Sequence, residues 1–233
     1  MENLLFPMQT LRVTQGEDTG SHLGSWAMDF GGRDGGRDPV FAPCTGEIVR
    51  LRGGANGELY LWSDGCVCCP GGYVGPVTVT LLHADRFIVR QGQRVRQGEH
   101  IYDEGGLGRG RHGAFGSHLH LEVCRGHVPP RQAQNRFGSW YTVGSMLHLP
   151  QALFLPADTV VADAGGCHWV RLAADKTPPG APARRYTVRP GDSWWRIAAE
   201  QLGSGPRCAA LAKANGKSIA AVLHPGDVLT LEG

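Results

Sequence analysis

Glycine placement constrains this chain more than any other feature. Thirty-five of its 233 residues are glycine, and in the first two thirds they fall in doublets at turn-like places: Gly31-Gly32, Gly35-Gly36, Gly71-Gly72 and Gly105-Gly106. Glycine weakens a helix interior by about 1 kcal/mol relative to alanine and suits places where the chain reverses. The pattern therefore predicts a turn-rich, mainly β core. Apolar runs between the turns supply the strands: Ser25–Phe30, Gly46–Arg52, Glu58–Trp62, Val77–His83 and His118–Val123. Val77-Thr78-Val79-Thr80-Leu81 alternates, which predicts one buried face and one more polar face. Arg90–Glu99, with glycines at 92 and 98, suits a compact β-hairpin edge. Beyond Arg125 the pattern is less regular, and only a strand near Ala152–Leu155 is placed.

Composition bounds the rest. A formal charge of +2 lacks the basic stripe that nucleic acid demands, so no nucleic-acid partner is expected. No run reaches ~18 uninterrupted apolar residues, so no membrane span is expected, and Met1–Pro7 carries no secretory signal pattern. Synthesis in a reducing cytoplasm is the expectation, and the seven cysteines are then free thiols. Cys66-Val67-Cys68-Cys69 lacks a partner pair for a four-thiolate site, and a hairpin tip with free thiols is favoured over a disulfide or zinc with Cys44 or Cys124. Lys176–Ala183 reads as a Pro-rich linker. This divides the chain into a large domain at 1–174, a linker at 175–184 and a small domain at 185–233. The small domain reads as strand Tyr186–Val188, a helix from Trp194 toward Gln201 capped by Asp192 or Ser193, a helix Ala209–Ala214 stopped by Gly216, and strand Val228–Leu231.

Ten histidines require sorting. In His118-Leu119-His120, residues two apart on a strand project from one face, so both imidazoles point together. Alone the pair is as consistent with chance as with a metal site. Asp29, between Met28 and Phe30 in an apolar strand, is costly to bury unless it is paired or bound to a cation. His22 precedes that strand, and His83 ends another. Glu122 shares the face of His118 and His120, either orienting one of them or standing in solvent. His112 sits in the Gly-rich segment 105–116, and the remaining histidines read as exposed or packing residues.

Gly116-Ser117-His118-Leu119-His120-Leu121-Glu122-Val123 resembles the G-x-H-L-H-x-E-V signature of lysostaphin/LytM-type zinc endopeptidases. Leu82-His83-Ala84-Asp85 and Pro39–Val49 resemble the family's other motifs, in the family's order. The resemblance implies an antiparallel β-sheet peptidase domain holding one catalytic Zn2+ by His22, Asp29 and His120, with His83 and His118 as catalytic histidines. Simple members space the first histidine and the aspartate more closely than His22 and Asp29, and Asp34 and Asp38 are rivals for Asp29. Two histidines and one carboxylate leave a fourth position open for water, as a hydrolytic zinc requires.

Tyr186–Ala198, Ala214-Asn215-Gly216 and Leu223–Leu229 resemble a LysM domain. The resemblance implies a βααβ module binding N-acetylglucosamine-containing glycan through Gly191, Asp192, Ser193, Trp194, Gly216 and Ile219. Trp194 is expected to be exposed, and Trp195 and Ile197 to pack in the core. Together the motifs imply a monomeric peptidoglycan endopeptidase acting on stem peptides of the bacterial cell wall, a phage or prophage endolysin. A D-alanyl–diaminopimelate cross-link is preferred over a glycine bridge by likeness to phage versions. The alternative is a non-catalytic wall-binding or phage tail protein with a degenerate peptidase fold.

Overall fold

The computed structural model describes residues 1–173, 184–202 and 205–231. Chain contacts divide into two units, Met1–Pro178 and Pro179–Gly233. The linker read at 175–184 lies almost wholly outside the described residues.

The first unit is built on one eight-stranded sheet, in the order Arg94–Val95, Gly46–Arg52, Glu58–Ser63, Val77–Leu82, Leu119–Arg125, Met28–Gly31, Thr10–Gln15 and Val160–Asp163. Neighbours are antiparallel except the last pair, which runs parallel. The mainly β expectation holds. Met28, Phe30, Ile48, Leu59, Leu61, Leu81, Leu119 and Leu121 lie fully buried in one contiguous core, the apolar side of the period-2 strands. The expected strands at Gly46–Arg52, Glu58–Trp62 and Val77–His83 form within a residue of their predicted ends, whereas Ser25–Phe30 shortens to Met28–Gly31.

Three expectations need correction. Val77–Leu82 has no polar open face, because all six residues are buried. The segment beyond Arg125 folds over its threonine side: Thr78 Oγ1 donates to Gly126 O at 2.9 Å and accepts from Val128 N at 2.9 Å, and Thr80 and Thr142 hydroxyls pair at 2.7 Å. Arg90–Glu99 does not pair with itself. Gly92 and Gly98 take φ of 79°, as turn glycines do, and Arg94–Val95 instead pairs with Gly46 and Glu47 at the sheet edge. Near Ala152–Leu155 the chain forms a helical turn, Leu149–Ala152, with Pro150 in its first turn, followed only by single bridges at Phe154 and Leu155.

The second unit consists of strand Arg184–Thr187, helix Trp194–Leu202, a turn at Gly205–Arg207, helix Cys208–Ala214 and strand Val228–Leu231, which pairs antiparallel with the first strand. Its core contains Val188, Trp194, Ile197, Ala198, Leu211 and Leu229. The two tryptophans are the reverse of the expectation: Trp194 is 5% exposed and Trp195 61% exposed. Helical periodicity is the reason. Trp194 shares a face with Ile197 and Ala198, three and four residues on, whereas Trp195 turns away from it. Trp194 also donates its indole N–H to Ala221 O at 2.8 Å, which anchors it inside. No helix among the described residues is long and apolar enough to cross a membrane.

Candidate metal centre

Three neighbouring strands deliver the site. Asp29 lies between the buried Met28 and Phe30, so strand alternation turns its carboxylate to the opposite face. On the adjacent strand His120 stands directly opposite Asp29 in register, and His120 Nδ1 lies 3.0 Å from Asp29 Oδ1. His22 arrives from outside the sheet on the helical turn Gly20–His22 and is only 2% exposed. Its Nε2 lies 3.3 Å from the same Asp29 oxygen. The long interval between His22 and Asp29 is ordered: Ser25 N and Oγ both donate to His22 O, at 2.8 and 3.0 Å, and Gly24 N donates to Asp18 Oδ1 at 2.6 Å.

His118 precedes the strand and forms a bridge with Gly105. Its Nε2 faces the second Asp29 oxygen at 3.8 Å. His83 follows strand Val77–Leu82 with φ of 70°, a left-handed conformation costing about 1–2 kcal/mol for a residue with a Cβ. That turn is held by His83 N donating to Asn56 O at 2.7 Å. It brings the His83 ring to 4.5 Å from His118 and 5.9 Å from His120, centroid to centroid.

Each imidazole has one nitrogen tied down and the other turned inward. His22, His83 and His118 direct Nδ1 to the carbonyls of Gly16, Leu107 and Gly116, at 3.3, 2.8 and 2.7 Å. A carbonyl only accepts, so Nδ1 carries a proton in each of the three, and Nε2 is the nitrogen turned to the site. His120 is reversed: Nε2 meets Glu122 Oε1 at 3.0 Å, leaving Nδ1 for the centre. Glu122 is fully buried, and its other oxygen accepts Thr142 N at 2.6 Å. Of the two readings for Glu122, orientation of His120 is the one the geometry supports.

Electrostatics follow from burial and partners. Burial raises the Asp29 pKa, but hydrogen bonds from His120 and His22 outweigh it and hold the carboxyl far below the usual carboxylate range. Burial lowers the His120 pKa, but Asp29 and Glu122 push it up to about 9. His83 is pushed down to about 3 by burial and by the neighbouring His118 and His120. It is therefore neutral at pH 7.

His22, Asp29 and His120 can bring one donor atom each within 4.8 Å of one another, the sole such cluster among the described residues. A tetrahedral zinc with bonds of about 2.1 Å needs donors roughly 3.4 Å apart. The observed 3.0 and 3.3 Å about Asp29 are close to that, and the donor chemistry suits zinc. The rival carboxylates serve loop turns: Asp34 Oδ1 accepts Gly36 N at 2.7 Å, and Asp38 Oδ2 accepts Arg33 N at 2.8 Å. His112 pairs with Asp85, His100 with Asp103 and His148 with Glu17, while His127 stacks on Trp62. No disulfide links any of the seven cysteines.

In the second unit, Asp192 accepts Tyr186 Oη and Arg189 N at 2.7 and 2.8 Å, and Ser193 Oγ accepts Arg196 N at 3.2 Å, capping the helix. Gly191 and Gly216 take φ of 84° and 63°. Ile219 is 53% exposed, whereas Trp194 offers no exposed ring face. The exposed Trp195 was missed, as were the carbonyls of Gly16, Leu107 and Gly116. Side-chain chemistry gives no sign of a carbonyl's direction. The Trp195 exposure was readable from helical spacing.

Residues 186–232 match the LysM domain family, and the second unit is a LysM domain. The chain is 35% identical over 123 residues to "Morphogenesis protein 1" of Bacillus phage B103, covering 52% of this chain and 32% of that protein. It therefore spans about a third of that relative's length. Among solved structures it is similar to a zinc containing peptidase from Vibrio cholerae, with TM-score 0.39 and 23% identity over 52% of this chain and 36% of that one. It is also similar to the catalytic domain of the antimicrobial peptidase lysostaphin from Staphylococcus simulans, with TM-score 0.35 and 15% identity over 59% of this chain and 85% of that one.

Proposed function

We propose that the first unit is a zinc-dependent peptidoglycan endopeptidase, hydrolysing peptide bonds in the cross-linked stem peptides of the bacterial wall, and that the LysM domain targets it to wall glycan. One observation carries this reading. Four imidazoles and one carboxylate meet at one place, each imidazole with its outer nitrogen fixed by a hydrogen bond. A structural site would spend its histidines on closing the coordination sphere. Here His22, Asp29 and His120 form the ligand set, and His83 and His118 stand beside it.

When bound, zinc would act as a Lewis acid and lower the pKa of a water toward ~7. The chain's own residues do the rest. His22 Nε2, Asp29 and His120 Nδ1 would hold the ion, and Glu122 fixes the His120 ring. His83, neutral at pH 7, presents Nε2 as an acceptor, with its ring held by Leu107 O. His118 presents Nε2 from the neighbouring strand. Together the two rings supply the proton acceptor for the nucleophile, polar contacts for the oxyanion and a proton for the leaving amine. A LysM domain on the same chain raises the enzyme's effective concentration on an insoluble polymer. The glycan contacts proposed are Gly191, Asp192, Ser193, Gly216 and Ile219, with the exposed Trp195 supplying the stacking surface assigned from sequence to Trp194.

Two phage settings fit. An endolysin released at lysis is the first, with a D-alanyl–diaminopimelate cross-link as its target. A virion-borne wall enzyme is the second, favoured by the relative named for phage morphogenesis. To test the activity, purified wall is incubated with the protein and with His120→Ala, and the products are examined by mass spectrometry. New peptide amines released by the wild type only are expected, with about one zinc per chain. Reducing-sugar ends, or a protein that takes up no zinc, would overturn the reading.

A further inference from the structure

The two sides of the metal centre differ in chemistry. Across the sheet the order runs from His83, through His118 and His120, to Asp29 and then His22. Beyond His22 lie Leu23 and Phe137, 42% and 50% exposed, joined by Asn135 Nδ2 donating to Leu23 O at 2.8 Å, with the Arg136 guanidinium spent on stacking over the Phe137 ring. Beyond His83 lies the loop 105–116, which carries Arg109 and Arg111, both exposed.

That loop is built rigidly. It closes on itself by paired hydrogen bonds between Gly108 and Arg111, at 3.1 and 3.0 Å, and is anchored outward by Gly110 N donating to Ala55 O at 2.8 Å. A Cβ on Gly106 would collide with the Phe115 carbonyl, so the loop depends on glycine to pack this tightly. Arg109 and Gly110 take φ of 52° and 73°, the positive pair that a two-residue turn between Gly108 and Arg111 requires, which sets Arg109 at the loop tip. Leu107, two residues before it, holds His83 Nδ1 at 2.8 Å. Two residues span at most about 7 Å of chain. The backbone of Arg109 therefore lies within that distance of Leu107, and Arg111 is brought beside it by its pairing with Gly108. The one carboxylate at the foot of the loop, Asp85, is already shared by Arg37 and His112, each at 3.0 Å. Neither Arg109 nor Arg111 has an ion-pair partner among the described residues.

We propose that Arg109 and Arg111 form an anion subsite that recognises a free carboxylate of the peptide next to the scissile amide, so that the enzyme selects cross-links carrying such a carboxylate over neutral ones. This rests on the hydrolase reading above and adds its substrate class. A guanidinium forks onto a carboxylate with two parallel N–H donors, and two unpaired arginines on a preorganised loop suit that task.

The experiment compares three soluble cross-linked peptide dimers: one with the free carboxylate at the cross-linking diamino acid, its amidated counterpart, and a glycine-bridged dimer. Wild-type zinc-loaded protein should cleave the first with kcat/KM at least about tenfold above the other two, an advantage that shrinks with added salt. The Arg109→Gln/Arg111→Gln variant should lose that advantage while cleaving the amidated dimer as the wild type does, and Arg109→Lys/Arg111→Lys should restore part of it. Equal wild-type rates on all three dimers would overturn the subsite and leave the hydrolase standing. So would an equal loss in the glutamine variant on free and amidated dimers, which marks a loop that merely supports His83. Cleavage of none of the three would overturn the hydrolase reading, and the subsite with it.

Discussion

Replacing Glu122 with glutamine keeps the side chain's shape and removes its charge, and the consequences can be worked through. One Glu122 oxygen lies 3.0 Å from His120 Nε2 and the other accepts Thr142 N at 2.6 Å. An amide has one oxygen, so one of these two donors must face the new NH2 group. A buried donor without an acceptor costs about 1–3 kcal/mol, which thermal unfolding of the metal-free variant should register. Loss of a ligand's outer partner weakens metal affinity about 10–100-fold, or about 1.4–2.7 kcal/mol. An opposing effect enters through the proton. With His120 pushed up to about 9, zinc at pH 7 must displace a proton, at a cost in affinity. Glutamine removes one of the two carboxylates holding that proton and so returns part of this cost. The affinity deficit of Glu122→Gln should therefore be small at pH 7 and reach tenfold or more at pH 9. Competition against a chromophoric zinc chelator at both values measures it. A variant matching the wild type at pH 9, or one whose deficit does not grow with pH, would refute the reasoning.

Other outcomes follow from the same geometry. His118→Ala should retain zinc stoichiometry and lose wall hydrolysis by at least about 100-fold, whereas His120→Ala should lose both; metal analysis beside a turbidity assay separates them. In the LysM domain, Trp195→Ala should weaken sedimentation with purified wall and leave the fold intact. Trp194→Ala should cost about 3–5 kcal/mol and unfold the domain, as circular dichroism would report. Glu104 is buried and pushed up to about 8, by burial and then by Asp38. A carboxyl raised in the folded state contributes stability that is fully present below its unfolded value of 4.5 and is lost as pH rises through about 8. Glu104→Gln should flatten that decline, and a melting-temperature series from pH 5 to about 9 would show no change in slope if the assignment is wrong.

Much of this was legible in the sequence. Strand alternation around Asp29 and the spacing of His118 and His120 are local, and local patterns survive folding when one face must be buried. Of the glycine doublets, Gly35-Gly36 and Gly71-Gly72 fall in turns, whereas Gly31 ends a strand and Gly105 bridges to His118. The partners that finish the site were not legible. Leu107 O is brought to His83 by a loop 24 residues away, and Thr142 reaches Glu122 from 20 residues on. The polar side of Val77–Leu82 misled because its cover, the segment beyond Arg125, has no regular period. The two tryptophans invert the expectation for a different cause: the three- and four-residue helical spacing to Ile197 and Ala198 decides which ring is buried.

The hydrogen bonds on the outer nitrogens bear on the order of assembly. Protonated His120, lying between Asp29 and Glu122, supplies a positive charge where the cation would otherwise sit. The proton is thus a placeholder that keeps two buried carboxylates from repelling one another. Small zinc modules that lack such a stand-in collapse when stripped of metal. On the zinc reading proposed above, the chain would fold first and load its ion afterwards, exchanging one cation for another within a frame already set. Stripping with a chelator should then be a reversible exchange, with no refolding step separating the empty protein from the active one.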